Sequence, residues 1–594
     1  MALLDYLVFS GYIIGIVAVG LLYTCRMKDS KEMFAAGGRS PWWVSGLSGF
    51  MTMFSAGTFV VWGGIAYRFG LGAVSISMCY GVAAIMVGWW LAGRWKRMGV
   101  TSAPEYLQVR FGKSIVQFYT WLQGGFNVFT TGGTVYALAV IVCALMPLSK
   151  SNPLADPETG HLSVLYASLA ICLIVTVITF SGGLWAVLIT DVLQFVVLTV
   201  SVIFVVPLAF MKVGGIGSFV DTTPEGFFHP IASDFTWWFL AGWVAIHFFK
   251  IGGEWAFVQR YQCVPSPREA RWSSYIFGVM YLLSPVFWML PPMIYRTVNP
   301  DADYEQAYIL ACEWVLPPGM IGLMLAAMTS ATASYATTQL NVYAGAFTTE
   351  FYQRILRPDA SERRLVLVGR GITLLLGCLL IGGAVLIPRM GTYTGYIIAI
   401  TALLTGPLVL PTIWGMFSRK IGLADAWAVT IVGFVGATVF KFGLLAGGWF
   451  ADWRALKPLT DLVQINPRVS ELAVGILPPL LLLSVIEVVR QRESPGWSRL
   501  VTYRKETTDE APVVADTLPA RLVAYTVGLI ALAIAGITLV SPEDRGTLSL
   551  FTLVLFVITA VMLKRISYMA SVRSRGIETR SMNDCRTPAT GDPQ

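Results

Sequence analysis

MTSATASYATTQLNVYAGAF, residues 328–347, has the length of a membrane-spanning helix but carries hydroxyl and amide groups along most of its length. Ser330, Ser334, Thr337 and Asn341 are spaced 4, 3 and 4 residues apart, which places them on one face of a helix. Polar groups are costly to bury in hydrocarbon unless they find partners. We therefore expect this stripe to line an internal site. The alternative is that the hydroxyls bond to carbonyls of their own helix.

The rest of the chain has the composition of a polytopic membrane protein. Of its 594 residues, 56% are hydrophobic and 13% are charged, and the mean hydropathy is +0.67. Soluble domains carry roughly 25% charged residues. Apolar blocks long enough to cross about 30 Å of hydrocarbon recur from one end to the other. The sequence predicts an all-α integral membrane protein of about fifteen spans.

The net charge is +8, but the basic residues lie in alternate loops rather than in one patch. This distribution indicates the orientation of the spans and not the binding of nucleic acid. Loops rich in Lys and Arg stay on the cytoplasmic side, and Arg260, Arg268 and Arg271 count toward one of them. An odd number of spans then predicts an external N-terminus and a cytoplasmic C-terminus in a plasma or inner membrane.

The sequence gives little support for an enzyme. It has no Walker A, GxSxG or HExxH motif, and its eight cysteines and three histidines have no metal-ligand spacing. We therefore expect no catalytic residues and no organic cofactor.

Two spans have the composition of interrupted helices. The second, residues 41–67, contains Gly46, Gly49, Gly57, Gly63 and Gly64. A break would expose backbone groups that can hold an ion at mid-membrane, whereas close helix packing is the alternative use of such glycines.

The seventh span carries His247, Lys250 and Glu254 around the pair Gly252 and Gly253. Ionisable groups at this depth are rare and mostly functional. Lys250 and Glu254 are four residues apart, so they either neutralise one another on one helical face or serve the solute path.

The sixth span contains a lone carboxylate, Asp191, with Thr190 and Gln194 nearby. We expect an ion-handling role for Asp191, with a helix cap as the alternative.

Several separated motifs in this order resemble the solute:sodium symporter family, which includes proline, sialic acid and sodium/glucose symporters. The resemblance covers roughly residues 5–490. Its pieces are residues 37–43 (GGRSPWW), 101–107 (TSAPEYL), 110–112 (RFG), 181–187 (SGGLWAV) with Thr190, Asp191 and Gln194, 259–261 (QRY), Asn341, 347–348 (FT), Tyr352 and 406–407 (GP).

The resemblance implies a LeuT-like core of ten helices in two inverted five-helix repeats, with discontinuous helices beside the solute. These repeats would occupy residues 42–210 and 236–417. The predicted remainder comprises a leading helix and loop (1–41), two additional helices (423–490), a cytoplasmic linker (491–518), two C-terminal helices (519–568) and a disordered cytoplasmic tail (569–594). We expect the linker to be poorly ordered as well.

The resemblance also implies a sodium site, to which the residue reasoning adds Asp191. The implied ligands are backbone oxygens of Met51, Phe54 and Ala331 and side-chain oxygens at Ser334 and Tyr335. Ala331 and Ser334 are the central candidates for Na⁺. Tyr335 departs from the family pattern, which has a second serine or threonine there.

The positions implied for the solute are Met53, Gly57, Thr58, Lys250, Glu254 and Ile398. Met53 replaces a frequent Asn or Asp, and Gly57, Thr58 and Ile398 replace residues that contact sugar in the family. These departures disfavour a sugar. The cation of Lys250 favours a solute that bears a carboxylate, unless Glu254 cancels its charge.

The resemblance therefore implies a secondary active transporter that couples sodium to uptake of a small organic solute across the bilayer by alternating access. Tyr335 and Met53 keep a proton-coupled or sodium-independent transporter open, with Asp191 or Glu254 as the proton site. A nontransporting membrane sensor is a further alternative.

Overall fold

The computed structural model describes residues 2–24, 36–232, 235–386, 401, 404–444, 448–450 and 453–507, with scattered residues between 521 and 567. These described residues are almost entirely helical, and the β-type pairing among them is limited to isolated bridges such as that between Pro147 and His161. The chain divides into two compact units, Met1–Ala515 and Asp516–Gln594. The first unit contains the candidate site.

The helices of the first unit are numbered here in chain order. The first ten are α1 (Leu3–Thr24), α2 (Trp42–Thr52), α3 (Gly63–Phe69), α4 (Leu71–Arg97), α5 (Ala103–Arg110), α6 (Lys113–Leu145), α7 (Val164–Val213), α8 (Ile216–Thr222), α9 (Trp237–Gly253) and α10 (Trp255–Gln262). The others are α11 (Pro267–Val298), α12 (Ala307–Val315), α13 (Met320–Ala346), α14 (Glu362–Leu386), α15 (Leu410–Trp414), α16 (Leu423–Leu444), α17 (Lys457–Ile465), α18 (Pro467–Val489) and α19 (Pro495–Thr507).

The predicted second span is broken between α2 and α3. Helix α2 ends at Thr52, and a π-helical turn over Thr58–Trp62 leads into α3. Side chains satisfy two backbone amides at the break: Ser55 N–H donates to the Thr58 hydroxyl at 3.3 Å, and Gly57 N–H donates to the Ser55 hydroxyl at 3.2 Å. The break is thus a built feature whose backbone groups are held by local side chains.

The predicted seventh span is broken at a single residue, Glu254, between α9 and α10. Its backbone is extended, with φ −67° and ψ 136°, although its amide still donates to the carbonyl of Lys250 at 2.9 Å. Both interruptions expected from the sequence are therefore present.

Several glycines in these spans also serve close packing. A Cβ on Gly46 would lie 2.1 Å from a methyl carbon of Ile276 and 2.5 Å from the carbonyl oxygen of Ser273. A Cβ on Gly253 would lie 2.5 Å from a methyl carbon of Val409. Glycine at these positions permits close helix approach, so both interpretations of the glycine-rich composition hold.

Seven helices among the described residues are long and apolar enough to cross a membrane. They are Leu71–Arg97, Lys113–Leu145, Val187–Val213, Pro267–Val298, Glu362–Leu386, Leu423–Leu444 and Pro467–Val489. The structure differs at the sixth predicted span, which contains Asp191: it does not form a separate helix but continues the apolar segment before it in the single helix α7. The total of fifteen spans and the inverted repeats stay predictions.

The leading helix α1 packs against α7 and α13 and caps α13. The carboxylate of Asp5, which is 1% exposed, accepts the backbone amides of Gly319 at 2.7 Å and Gly322 at 2.9 Å. A carboxylate at a helix N-terminus satisfies unpaired amides and complements the helix dipole. Helix α1 therefore fixes one end of the polar helix α13.

The first part of the predicted linker, which we expected to be poorly ordered, forms the helix α19 and packs on α5. Buried Arg110 holds this region: its guanidinium donates to the carbonyls of Gly415 and Ser418, both at 2.9 Å, and to the hydroxyl of Ser494 at 2.8 Å. Tyr503 of α19 donates to the Glu105 carboxylate at 2.9 Å. Residues 508–518, and the predicted tail 569–594, lie outside the described residues.

Candidate ion and solute site

A buried carboxylate joins three separated segments of the chain. Asp191 on α7 is 1% exposed and accepts hydrogen bonds from the hydroxyls of Ser48 on α2 and Ser334 on α13. Because Asp191 lies inside α7 rather than at its end, it is not a helix cap. The structure therefore brings Asp191 and Ser334, two predicted ion-site residues, into direct contact.

Arg260 provides the counter-charge, and the sequence interpretation misplaced it. We counted Arg260 among basic loop residues, but it lies in α10 and is 1% exposed. One guanidinium nitrogen lies 3.7 Å from a carboxylate oxygen of Asp191, and the group donates to Ser48 at 2.9 Å and Thr338 at 2.8 Å. The motif QRY contained this residue, but the contact with Asp191 joins positions too far apart in sequence for periodicity to reveal.

The polar stripe on α13 is partly a lined site and partly internal helix bonding. Ser330 accepts the amide of Gln194 at 2.6 Å, and Asn341 accepts the amide of Gln259 at 3.2 Å. Thr337, by contrast, donates to the carbonyl of Ser334 in its own helix at 2.9 Å. The stripe therefore faces α7 and α10, while Thr337 follows the alternative interpretation.

The remaining residues of the predicted sodium site lie on two adjoining segments. Met51 and Phe54 flank the break after α2, and both are fully buried, as is Ala331 on α13. The amide of Ala56 donates to the Thr332 hydroxyl at 2.8 Å and so ties the break to α13 beside Ala331. The break and the Ala331–Ser334 turn are therefore joined directly.

Tyr335 faces a different environment from its neighbour Ser334. It lines the central cavity, a space of about 90 Å³, together with Lys250 and Glu254. An adjoining space of about 90 Å³ is lined by the same three residues and by Gln123 and Asn127. The structure thus places Tyr335 beside the predicted solute positions.

Most of the predicted solute positions share the central cavity. Met53, Gly57, Thr58, Lys250 and Glu254 all line it. Ile398 lies outside the described residues. Residues at the break after α2 and at the break after α9 therefore line the same cavity.

Lys250 and Glu254 form a loose ion pair within the cavity. The ammonium nitrogen lies 4.0 Å from a carboxylate oxygen, and the two side chains are 25% and 17% exposed. Gln339 on α13 lines the same cavity as Glu254. The buried oxygen Oε1 of the Gln339 amide has no hydrogen-bond partner among the residues that the structure describes. The pair is therefore both mutually neutralising and accessible to a solute.

Aromatic residues form another wall of the same cavity. Trp62, Tyr80 and Trp243 line it and contact one another, with ring centroids 5.9–6.2 Å apart. His247 also lines the cavity, and its Nδ1 donates to the carbonyl of Trp243 at 2.9 Å. This wall offers apolar faces to a solute in the cavity that also holds the charged pair.

A second, larger space of about 240 Å³ lies on the other side of the break in the seventh span. We call it the vestibule. Trp255, Gln259 and Asn341 line it, as do Glu105 of α5 and Glu350 beyond α13. Arg354 is the basic residue among those that line it.

The family model of the sodium:solute symporter family matches residues 33–236 and 258–433. The chain belongs to this family. Those two ranges contain the break after α2, Asp191, Arg260 and the polar stripe of α13. Membership of the symporter family makes the chain a multi-pass membrane protein whose relatives are transporters.

Sequence similarity to curated relatives extends over most of this chain. It is 26% identical over 519 residues to sodium/myo-inositol cotransporter 2 of Rattus norvegicus, with 79% of this chain and 72% of the relative covered. It is 28% identical over 483 residues to sodium/glucose cotransporter 4 of Danio rerio, with 73% and 70% covered. It is 27% identical over 394 residues to the sodium/sialic acid symporter NanT of Aliivibrio fischeri, with 63% and 75% covered.

Two solved structures are similar in fold to most of this chain. A Na⁺-coupled sialic acid symporter in a substrate-bound outward-open state superimposes with a TM-score of 0.65 at 21% identity, covering 81% of this chain and 98% of that one. A nucleobase-cation-symport-1 family transporter in a closed conformation gives a TM-score of 0.52 at 15% identity, with 80% and 99% covered. At these identities the likeness shows the fold alone.

Proposed function

We propose that this protein is a secondary active transporter that couples sodium to the symport of a small organic solute by alternating access. The observation that carries the proposal is the contact between Ser334 and Asp191. A hydroxyl oxygen that binds a cation must direct a lone pair at the ion and its proton elsewhere. The Ser334 hydroxyl donates its hydrogen bond to Asp191, so the lone pairs of the Ser334 oxygen are left to bind an ion.

The charge and position of Asp191 also suit a sodium ion. Hard cations prefer carboxylate, carbonyl and hydroxyl oxygens, and those of Asp191, Ala331 and Ser334 lie on two packed helices, α7 and α13. Arg260 balances the buried carboxylate when no ion is bound. In this proposal the ion enters beside a charge that is already compensated, and it competes with the guanidinium for Asp191.

The two interrupted spans support alternating access. Helices broken at mid-membrane let one half move while the other half holds the site. The central cavity and the vestibule lie on the two sides of the break at Glu254, which suits a solute that passes from one to the other. Lys250 would contact the carboxylate of that solute.

A proton-coupled or sodium-independent transporter of the same fold is the second candidate. It is favoured by Tyr335, which lines the solute cavity, because a phenol there is not a second hydroxyl ligand for sodium beside Ser334. Asp191 or Glu254 would then carry the proton.

Uptake into proteoliposomes, measured with a panel of amino acids, organic acids and sugars, separates the two candidates. An inward sodium gradient should drive uptake, and Ser334→Ala should raise the sodium concentration needed for half-maximal rate at least about tenfold. Thr329→Ala is the matched control, because Thr329 bonds only to the Leu325 carbonyl of its own helix. Uptake that follows pH and ignores sodium would establish the second candidate instead.

A further inference from the structure

We propose that the transported solute is a small amino acid zwitterion, whose carboxylate contacts Lys250 and whose ammonium contacts Glu254 and Gln339. This inference rests on the proposed transport function and deepens it, because it assigns both charges of the solute to the central cavity.

The geometry of the Lys250–Glu254 pair is suited to opening. The two charged atoms lie 4.0 Å apart, beyond ordinary hydrogen-bond distance, and both side chains are partly exposed to the cavity. Lys250 and Glu254 line both the central cavity and the adjoining space. A solute in either space can therefore contact both charges. The break at Glu254 fixes the carboxylate at the end of α9, one turn from Lys250.

Gln339 supplies a second, independent observation. Gln339 is 3% exposed and lines the cavity, and its buried amide oxygen has no hydrogen-bond partner in the part of the chain that the structure describes. A buried acceptor without a donor is costly. A solute with an N–H group would satisfy this oxygen and the Glu254 carboxylate together.

The charge balance of the pair selects against other solute classes. A solute with a single charge would pair with one member and leave the other uncompensated in a region of low dielectric constant. A neutral sugar would displace water from both charges without replacing either interaction by a charged one. A zwitterion gives each member a partner of opposite sign, and its small carbon frame can contact Trp62, Tyr80 and Trp243, which line the same cavity.

The test uses the full chain in detergent with sodium chloride and measures equilibrium binding by calorimetry. The probes are L-alanine, propionate, propylamine and D-glucose. L-alanine carries both charges, propionate only the negative one and propylamine only the positive one, while D-glucose is uncharged. The wild type should bind L-alanine at least about tenfold more tightly than any of the other three.

Single neutralising substitutions should shift this preference in opposite directions. Lys250→Gln leaves a net negative cavity and should favour propylamine, whereas Glu254→Gln leaves a net positive cavity and should favour propionate. Lys441→Gln is the matched control, because Lys441 pairs with Glu471 at 3.3 Å on another helix and does not line the cavity. The control should keep the preference of the wild type.

Gln339→Leu tests the role of the ammonium protons. The wild type should prefer L-alanine to N,N,N-trimethyl-L-alanine, which has no N–H, and the substitution should narrow that difference while any effect of size persists. An unchanged difference would overturn the contact with Gln339.

Two other outcomes would overturn the zwitterion itself. One is wild-type binding of propionate or D-glucose as tight as that of L-alanine. The other is a shift of both charge variants toward the same probe, which is the behaviour of a purely structural pair. Uptake of L-alanine that ignores sodium would contradict the proposed coupling and leave the zwitterion standing, whereas sodium-driven uptake of D-glucose alone would do the reverse.

Discussion

The backbone amide of Ala56 donates a hydrogen bond to the side-chain oxygen of Thr332, 2.8 Å away. This bond crosses from the break in one span to the helix that carries Ser334. Thr332→Val removes the acceptor and leaves a buried amide unpaired, which should lower the free energy of unfolding by about 1–3 kcal/mol. Thermal unfolding in detergent, with and without sodium chloride, measures the effect.

The same experiment has a close control on α13. Thr329→Val removes a hydroxyl that bonds only to the Leu325 carbonyl of its own helix. We expect this variant to keep the sodium-dependent rise in melting temperature and Thr332→Val to lose most of it. Equal loss in both variants would show that the crossing bond has no special part in holding the ion site.

A double-mutant cycle on Asp191 and Arg260 should show strong coupling. Either neutralisation, Asp191→Asn or Arg260→Gln, leaves the other charge buried and without its counter-charge, and breaking a buried pair in this way typically costs about 3–5 kcal/mol. The double variant removes both charges and should be more stable than either single variant. Melting temperatures of all four proteins give the coupling, and additive losses would contradict it.

Arg110→Lys should release α19 from the rest of the unit. One ammonium cannot reproduce the bonds that the guanidinium makes to Gly415, Ser418 and Ser494. Limited proteolysis should therefore cut residues 491–507 faster in this variant. Arg97→Lys is the control, because exposed Arg97 bonds to the Gly93 carbonyl one turn earlier. Equal cleavage of the two variants would mean that Arg110 does not hold α19.

Glu350, which lies in the π-helical segment Phe347–Leu356 beyond α13 and lines the vestibule, should make stability depend on pH. Burial raises the pKa of its carboxyl from 4.5 to about 7, against the opposing effect of Arg354 at 3.1 Å. A raised carboxyl pKa means that the folded state holds the proton more tightly than the unfolded state. Its contribution is therefore full at low pH and is lost as the pH rises through about 7.

Glu350→Gln mimics the protonated carboxyl and should raise the melting temperature relative to wild type at about pH 8 but little at about pH 5. Glu158→Gln, at an exposed loop position, controls for the loss of a carboxylate. A difference between Glu350→Gln and wild type that does not change with pH would contradict the titration of Glu350.

The sequence predicted the interrupted helices because glycine lets the backbone leave helical geometry and because ionisable residues are rare in a membrane span. It did not predict where the interruptions fall. The first break precedes Gly57, Gly63 and Gly64 rather than coinciding with them, and the second falls on Glu254 itself. Glycine content indicates where a backbone can deviate, while packing against neighbouring helices decides where it does.

The candidate site was predictable in its parts and not in its pairing. Asp191 and Ser334 could each be identified from the sequence, because burying a carboxylate or a stripe of hydroxyls in a membrane is costly unless these groups find partners. Arg260 was misassigned to a cytoplasmic loop because Arg268 and Arg271 follow it closely in the sequence. Its partner Asp191 lies on a different helix. Contacts between distant segments follow from tertiary packing, which the spacing of one segment does not encode.

The break at Glu254 lies between neighbouring residues that line different compartments. Glu254 lines the central cavity, and Trp255, joined to it by a single peptide bond, lines the vestibule. Trp255 also stacks on Tyr343 of α13, with ring centroids 5.6 Å apart. Because Glu254 and Trp255 are joined covalently, a displacement of either residue alters the walls of both compartments at once.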